Sequence, residues 1–501
     1  MSLRKENFSK IAVKNSLYTL SSVIIAKIGG FILTIILARM LLPELFGIYS
    51  LALSVAIIGI TLTDLGVNTT SLRYMSDALG KNNKLLARSY FRFLLKIKGL
   101  LILVAIIIIL ILSKPLSTGV FNKPLVFLPI VFSCFYILID SAREYFSQPF
   151  AARKDLRIFP PLELILQFSK IIFSLIAILI LSYRLRIPGI FMAFAVSGFL
   201  FLTLEIFFLI KKDKEMVIGK ISKIDNRKIL KYIGFMGLTG ITLTFFGSVD
   251  TLMLGRFVDA EYLGFYRAAL TLVISISSLL PFSGVLLPIF TQIHGKRLDR
   301  GFEKSLRYFI ILAIPMVVGL MFIAKYAILL IYGKEYLLAT PSLFVLSFLI
   351  IISPVISLYS TLFQAKEKPR LLAKFMLISL VMNITLNYIL IKILLNISQG
   401  YAILGAGVAI LISNLFLLGI LINKTKSQFN IKINKNPILK SILATAAMAL
   451  FLWAFKNLID IGIVSGTVMI ILAAIIYLSF MFLIKGLRKE DLDLLNVLFK
   501  R

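Results

Sequence analysis

Ionisable side chains inside long apolar segments are where chemistry would reside in this chain. A charge near the centre of a bilayer costs at least about 2.5–3.5 kcal/mol, so it normally faces protein or water. Lys27 lies about thirteen residues from either end of the first apolar segment, roughly 20 Å by helical rise, beyond the reach of a snorkelling lysine. It is expected to point into a wet cleft, where an ammonium suits an anionic ligand. Arg39 and Arg256 end two apolar segments at equivalent positions and would form a symmetric cationic pair. Asp250, six residues before Arg256, is the candidate for coupling to protons or sodium, with a buried ion pair as the plainer alternative. Asp64, Asp140, Glu163 and Lys170 are candidates to line the first half of the molecule, with a helix-end cap or brace the plainer reading for Asp64 and internal salt bridges the plainer reading for the other three.

Enzyme chemistry finds little support. One cysteine, Cys134, and one histidine, His294, leave neither a disulfide nor a Cys or His metal set. No G-x-x-x-x-G-K-[ST] phosphate loop is present, and the D-x-D at Asp491 and Asp493 lies in a short tail without a nucleotide-binding domain around it. No cofactor is implied. Energy for any transport must come from an ion gradient, the membrane potential or the substrate's own gradient.

The elements that must position these residues are membrane helices. The chain has 501 residues, of which 59% are hydrophobic, and a mean hydropathy of +0.98, well above the roughly 45–50% apolar content of soluble domains. Apolar windows of about 20 residues recur along its length, each long enough to cross the hydrocarbon as a helix, and the alternating strands of a barrel are absent. The expected fold is all-α with about fourteen transmembrane helices, the first two over 14–41 and 46–67. Pro129, Pro281, Pro315 and Pro354 mark expected kinks. Asn383, Asn387 and Asn414 are expected to hydrogen-bond between helices.

The net charge of +32 would suggest nucleic acid in a soluble chain. Here the basic residues concentrate in loops on one side, leaving Lys27 and Lys170 as the lysines placed within helices. The rule that cytoplasmic loops are positive then puts both termini in the cytoplasm, and no nucleic-acid partner is implied.

A duplication organises the whole. The run from Leu37 to Leu53 returns at Leu254 to Leu270 at a constant offset of 217 residues, matching at Leu37/Leu254, Arg39/Arg256, Glu44/Glu261, Gly47/Gly264, Tyr49/Tyr266, Ala52/Ala269 and Leu53/Leu270. An offset covering six helices, an even number, gives two halves of the same orientation. The expected division is a first six-helix lobe over 1–210, a basic linker over 211–228, a second six-helix lobe over 229–422, and helices thirteen and fourteen with a tail over 423–501.

The run Leu37 to Tyr49, the Leu62-Thr63-Asp64-Leu65-Gly66 run, Asp250 to Arg256 with Gly264-Phe265-Tyr266, Asn383-Ile384-Thr385-Leu386-Asn387 and Leu404-Gly405-Ala406-Gly407 resemble the polysaccharide repeat-unit flippases. These belong to the multidrug/oligosaccharidyl-lipid/polysaccharide exporter superfamily. The resemblance implies a V-shaped pair of six-helix lobes in the plasma membrane. The implied activity is translocation of polyprenyl phosphate- or pyrophosphate-linked oligosaccharide, by a monomer acting with glycan-assembly proteins and using H+ or Na+. Lys27, Arg39 and Arg256 would then meet the phosphate through charge-assisted hydrogen bonds. A cation-coupled multidrug-type antiporter on the same fold is the alternative. A membrane glycan polymerase is a further one, for which neither a large outer loop nor a catalytic carboxylate set is found.

Overall fold

The computed structural model describes residues 2–219, 221–222, 224–280, 286, 290–291, 295–366, 368–429, 436–458 and 463–486. Pro281, His294, Asp491 and Asp493 lie outside them. Ten helices among the described residues are long and apolar enough to cross a membrane, and a pair bent by 45°, Lys334–Leu346 with Leu349–Ala365, would make eleven. The chain is an all-helical, multi-pass membrane protein.

Helix α1, Ser2–Asp64, is broken at Leu42, where φ is 61° and ψ is 170°. Pro43 supplies the cause: it has no N–H, and its ring disfavours the helical conformation of the residue before it. The break falls between the two helices expected from the sequence and gives α1 a first limb, 2–41, and a second, 43–64. After it come α2 (Val67–Gly80), α3 (Lys84–Lys114), α4 (Phe127–Phe146), the short α5 (Gln148–Ala152), α6 (Phe159–Ile180), α7 (Arg186–Ile218), α8 (Asn226–Phe257) and α9 (Ala260–Ser277). Next are α10 (Lys296–Ile331), α11 (Thr340–Leu346), α12 (Leu349–Ala365), α13 (Pro369–Leu395), α14 (Gln399–Phe429), α15 (Asn436–Leu458) and α16 (Ile463–Leu483). Pro315 and Pro354 lie inside α10 and α12, whereas Pro129 falls in the first turn of α4.

The chain divides into two compact units, 1–264 with 395–399, and 265–394 with 400–501. In the first, the helices α1, α3, α4, α6 and α7 pack together. Helix α3 shows how the pattern works: Lys98, Ile102, Ala105 and Ile109 are buried while Leu100, Leu103, Ile107 and Ile111 are exposed, a helical alternation of a protein face and a lipid-suited face. Aromatic packing closes one end, where the Tyr145 hydroxyl donates to the Phe91 carbonyl at 2.5 Å and the two rings stack. The basic residues at that end are partly paired: Arg88 with Glu215 at 2.5 Å, Arg153 with Asp213, and Lys212 with Asp155.

The second unit is held differently. Phe302, Phe309, Tyr359, Leu362 and Phe363 form its main cluster. Helices α15 and α16 join α10 through Tyr477, whose hydroxyl donates to the Ile311 carbonyl at 2.6 Å and pairs with Ser441 at 3.0 Å. An apolar cavity of about 450 Å³ lies beside this joint, lined by Pro315, Leu320, Met448 and Ala473 among others.

Candidate functional site

Two features of the first unit gather the candidate residues. The first is a buried charged network on α3, α4, α6 and α7. Asp140 accepts two hydrogen bonds from Arg143, at 3.1 Å from Nε and 3.0 Å from a terminal nitrogen. The Arg143 guanidinium lies 5.1 Å from the centroid of the Phe201 ring. Lys170 places its ammonium over Tyr136 and Phe194, at 5.5 and 5.3 Å, and Asp140 is the carboxylate that acts on it most. Cation on aromatic face is a stable way to hold a charge away from water. Glu163 accepts from the Gln167 amide at 2.7 Å, one turn along α6, and Gln167 packs against α1 at Gly29, where a Cβ would collide with it.

A second arm of the network joins α1 to α3. Lys98 is 1% exposed, with its ammonium 3.4 Å from the Thr63 hydroxyl and 3.9 Å from Asp64. Thr63 pairs with Ser141 at 2.6 Å, and Asn68 donates to Glu144 at 3.3 Å. The Asp64 carboxylate accepts from the backbone N–H groups of Asn68 at 2.9 Å and Gly66 at 3.3 Å, so it caps the start of α2 as well as facing Lys98. Asp64, Asp140, Glu163 and Lys170, separate in sequence, thus belong to one polar region.

Sequence reasoning missed two members. Lys98 corrects the view that only Lys27 and Lys170 lie inside helices; it sits near the middle of α3 but close in sequence to Lys96, which disguised it as part of a basic loop edge. Glu205, on α7, is 0% exposed, and its two carboxyl oxygens have no hydrogen-bond partner among the described residues. Its signal was available, since it is the one acid in the apolar run from Phe201 to Ile210.

The second feature is the duplicated junction. A Cβ on Gly47 would run into the carbonyl of Ala260, and one on Gly264 into the carbonyl of Pro43. Pro43 and Ala260 are themselves equivalent under the 217-residue offset, so the contact is reciprocal, the pattern expected of a two-fold relation. Glycine is required on both sides because backbone meets backbone. The two breaks are built differently. In the first, apolar Leu42 takes the place of Asp259 and Tyr183 donates to Glu44 at 3.1 Å, whereas in the second the Asp259 N–H donates to the Gln399 side chain, whose amide donates back to the Asp259 carboxylate, both at 2.7 Å. Lys123 closes the end of α8 by donating to the carbonyls of Gly255 and Val258, each at 2.8 Å. Burial pushes its ammonium below the ordinary lysine range, against the opposing pull of Asp259.

The three cations expected to share a substrate stand outside the buried network. Lys27, on the first limb of α1, and Arg39 and Arg256, at the helix ends beside the junction, are all exposed. Arg256 donates to the Gly119 carbonyl at 3.4 Å. Asp250 is 2% exposed within α8, beside buried Ser248 and Thr251. Asn387 and Asn414 donate to carbonyls one turn back on their own helices, at 3.1 and 2.8 Å.

A family model described as polysaccharide biosynthesis protein matches residues 12–294. A probable low-salt glycan biosynthesis flippase of Haloferax volcanii is 23% identical over 243 residues, and the match spans 47% of this chain and half the length of that relative. Among solved structures, the lipid II flippase MurJ in an inward closed conformation aligns with a TM-score of 0.68 at 16% identity, covering 93% of this chain and 98% of MurJ. The Vibrio cholerae MATE transporter VcmN aligns with a TM-score of 0.56 at 15% identity, covering 84% and 98%. At these identities the structural likeness establishes a common fold.

Proposed function

The chain belongs to the polysaccharide biosynthesis protein family, and from that premise we propose that it is a flippase for polyprenyl phosphate- or pyrophosphate-linked oligosaccharide. It carries the glycan from the inner to the outer leaflet of the plasma membrane by alternating access, without covalent catalysis, as a monomer with both termini in the cytoplasm. The two lobes over 1–210 and 229–422 act as the moving bodies, and 423–501 is an addition to them.

The observation that carries this reading is the reciprocal junction. Two equivalent helix ends meet through backbone at Gly47 and Gly264, with Arg39 and Arg256 exposed beside them. A backbone seam of this kind has few interlocked side chains to extract, so it can part and re-form, and a pair of guanidiniums at its edge suits a passing phosphate. Lys27 meets the same headgroup deeper in the bilayer. The sugar chain needs a wet path, while the polyprenyl tail remains in hydrocarbon.

Proteoliposomes containing a lipid-linked oligosaccharide test this directly. Lys27→Ala should abolish transfer while the protein still inserts, and wild-type transfer by that variant would remove Lys27 from the substrate path. Asp250→Asn should lose any dependence of transfer on an imposed proton or sodium gradient, and a wild type indifferent to both gradients would sink the coupling role of Asp250. A second reading, a cation-coupled antiporter of small molecules on the same fold, is favoured by the buried carboxyl groups of the first unit. It predicts gradient-driven efflux of a cationic dye and no glycan transfer.

A further inference from the structure

Glu205 is the one member of the buried network with nothing to hold it. Four residues earlier on the same helix, Phe201 carries the Arg143 guanidinium on its face, and Arg143 supplies the charge that acts on Glu205. Yet the hydrogen bonds of Arg143 go to Asp140. One guanidinium is therefore bonded to Asp140 and also acts on Glu144, Glu163 and Glu205, of which Glu205 has no hydrogen bond of its own among the described residues. An ionised carboxylate buried without a partner is costly by several kcal/mol, whereas a carboxylic acid is not, and an arginine cannot relieve the cost by losing its own proton.

The remaining charged and titratable groups around α7 are accounted for. From α4 come Tyr136, Asp140, Arg143 and Glu144; from α6, Glu163 and Lys170; from α3, Lys98; and from α1, Tyr49 and Asp64. Glu144 accepts from Asn68 and lies in the field of Asp140, Arg143 and Lys98, Asp64 has Lys98 and two backbone donors, and Glu163 has Gln167. Arg143 also acts on Glu144 and Glu163, and Lys170 and Lys98 also act on Asp140, but among these carboxyl groups Glu205 is the one that makes no hydrogen bond to a described residue.

We infer that Glu205 is a proton-binding site, and that Arg143 passes between Asp140 and Glu205 as the proton leaves and returns. With the proton on Glu205, Arg143 is bound to Asp140, the arrangement seen. When the proton departs to water, the Glu205 carboxylate draws the guanidinium across the Phe201 ring and Asp140 is left to Lys170. Two carboxylates then face two cations, whereas with the proton on Glu205 the Lys170 ammonium keeps the faces of Tyr136 and Phe194 and the field of Asp140. Because the exchange moves a side chain of α4 along α7, it alters how those helices pack, which is what a proton must do to drive a conformational cycle. That last link rests on the transport reading; the proton site does not.

Infrared difference spectroscopy on the full chain in lipid bilayers, between acidic and alkaline buffer, separates the two. Wild type should show a carboxylic acid C=O band lost on alkalinisation. Glu205→Gln should lose a component of that band that Glu144→Gln keeps, and Glu205→Asp should restore it. Asp140→Asn, by releasing Arg143 to Glu205, should move the transition toward acid by about one pH unit or more, the size of shift that a close cation produces. A band of unchanged size in Glu205→Gln would overturn the proton site, and an unmoved transition in Asp140→Asn would overturn the exchange. If the band behaves as expected but wild type moves no lipid-linked oligosaccharide in proteoliposomes, the proton site stands and the flippase reading falls.

Discussion

The two compact units bury different chemistry. Arg88, Lys98, Asp140, Glu205 and Asp250 are the buried charged residues among those described, and each lies within 1–264. The second unit buries hydroxyls and amides instead, among them Ser379, Asn383, Asn387, Ser413 and Asn414, around an apolar core and an apolar cavity. The helix-end geometry repeats at Gly47 and Gly264, both within the first unit, while the interiors of the two units differ. In lipid, burial of apolar surface gives helices little reason to associate, so packing and hydrogen bonds must do it. The first unit does so with paired charges, whose rearrangement can be driven by a proton. The second buries neutral groups that offer no such handle, Tyr477 joining three of its helices through Ser441 and the Ile311 carbonyl.

The contrast is sharpest at Arg143. Replacing it with Ala leaves Asp140 buried and short of its main partner, which should destabilise the protein by about 3–5 kcal/mol, read as a large drop in unfolding temperature in detergent. A change below about 1 kcal/mol would mean that the buried charges are incidental. At the edge of the first unit, Lys123→Met removes the ammonium from the carbonyls of Gly255 and Val258. It should cost about 1.5–3 kcal/mol, and a neutral result would mean that α8 is held without it.

At the junction, Gly47→Ala and Gly264→Ala should each cost about 1–3 kcal/mol of the closed arrangement and slow transfer to a similar degree, because the contact is reciprocal. An effect at one glycine alone would break the claim of equivalence. Smallest of all should be Asn383→Leu in the second unit, within about 0.6 kcal/mol, because the Asn383 amide makes no hydrogen bond among the described residues whose loss would cost the average polar contact between membrane helices. If it proved as damaging as the loss of Arg143, the distinction between the two interiors would collapse.

Much of this was legible in the sequence, for reasons specific to membranes. Apolar windows of spanning length mark the long helices among the described residues, and the 217-residue offset pairs Gly47 with Gly264, whose backbone contacts are reciprocal. The break at Leu42 was visible as the gap before Pro43. Asp140, Glu163 and Lys170 were recognisable as charges out of place, and their sharing of one region follows from packing that no spacing rule encodes. Glycine repetition at Gly47 and Gly264 was visible too, but not its cause, since only the folded chain shows which backbone each one meets. Lys98 was hidden by its basic surroundings. Glu205 was hidden by nothing: the cost of a membrane-buried acid applied to it as fully as to Asp250, and its place at the end of a cationic relay emerges only once Phe201 and Arg143 are seen beside it.

The claim on which the account depends is that exposed cations of the first unit pass an anionic glycan-lipid headgroup between leaflets. Transfer of a fluorescent polyprenyl pyrophosphate-linked oligosaccharide in proteoliposomes, compared for wild type and the Arg39→Ala/Arg256→Ala double variant, tests it most directly. The account predicts rapid transfer by wild type and loss of at least about 90% of that rate in the variant, the tenfold effect of about 1.4 kcal/mol of lost phosphate binding. Equal rates for the two proteins, or no transfer by either, would contradict it.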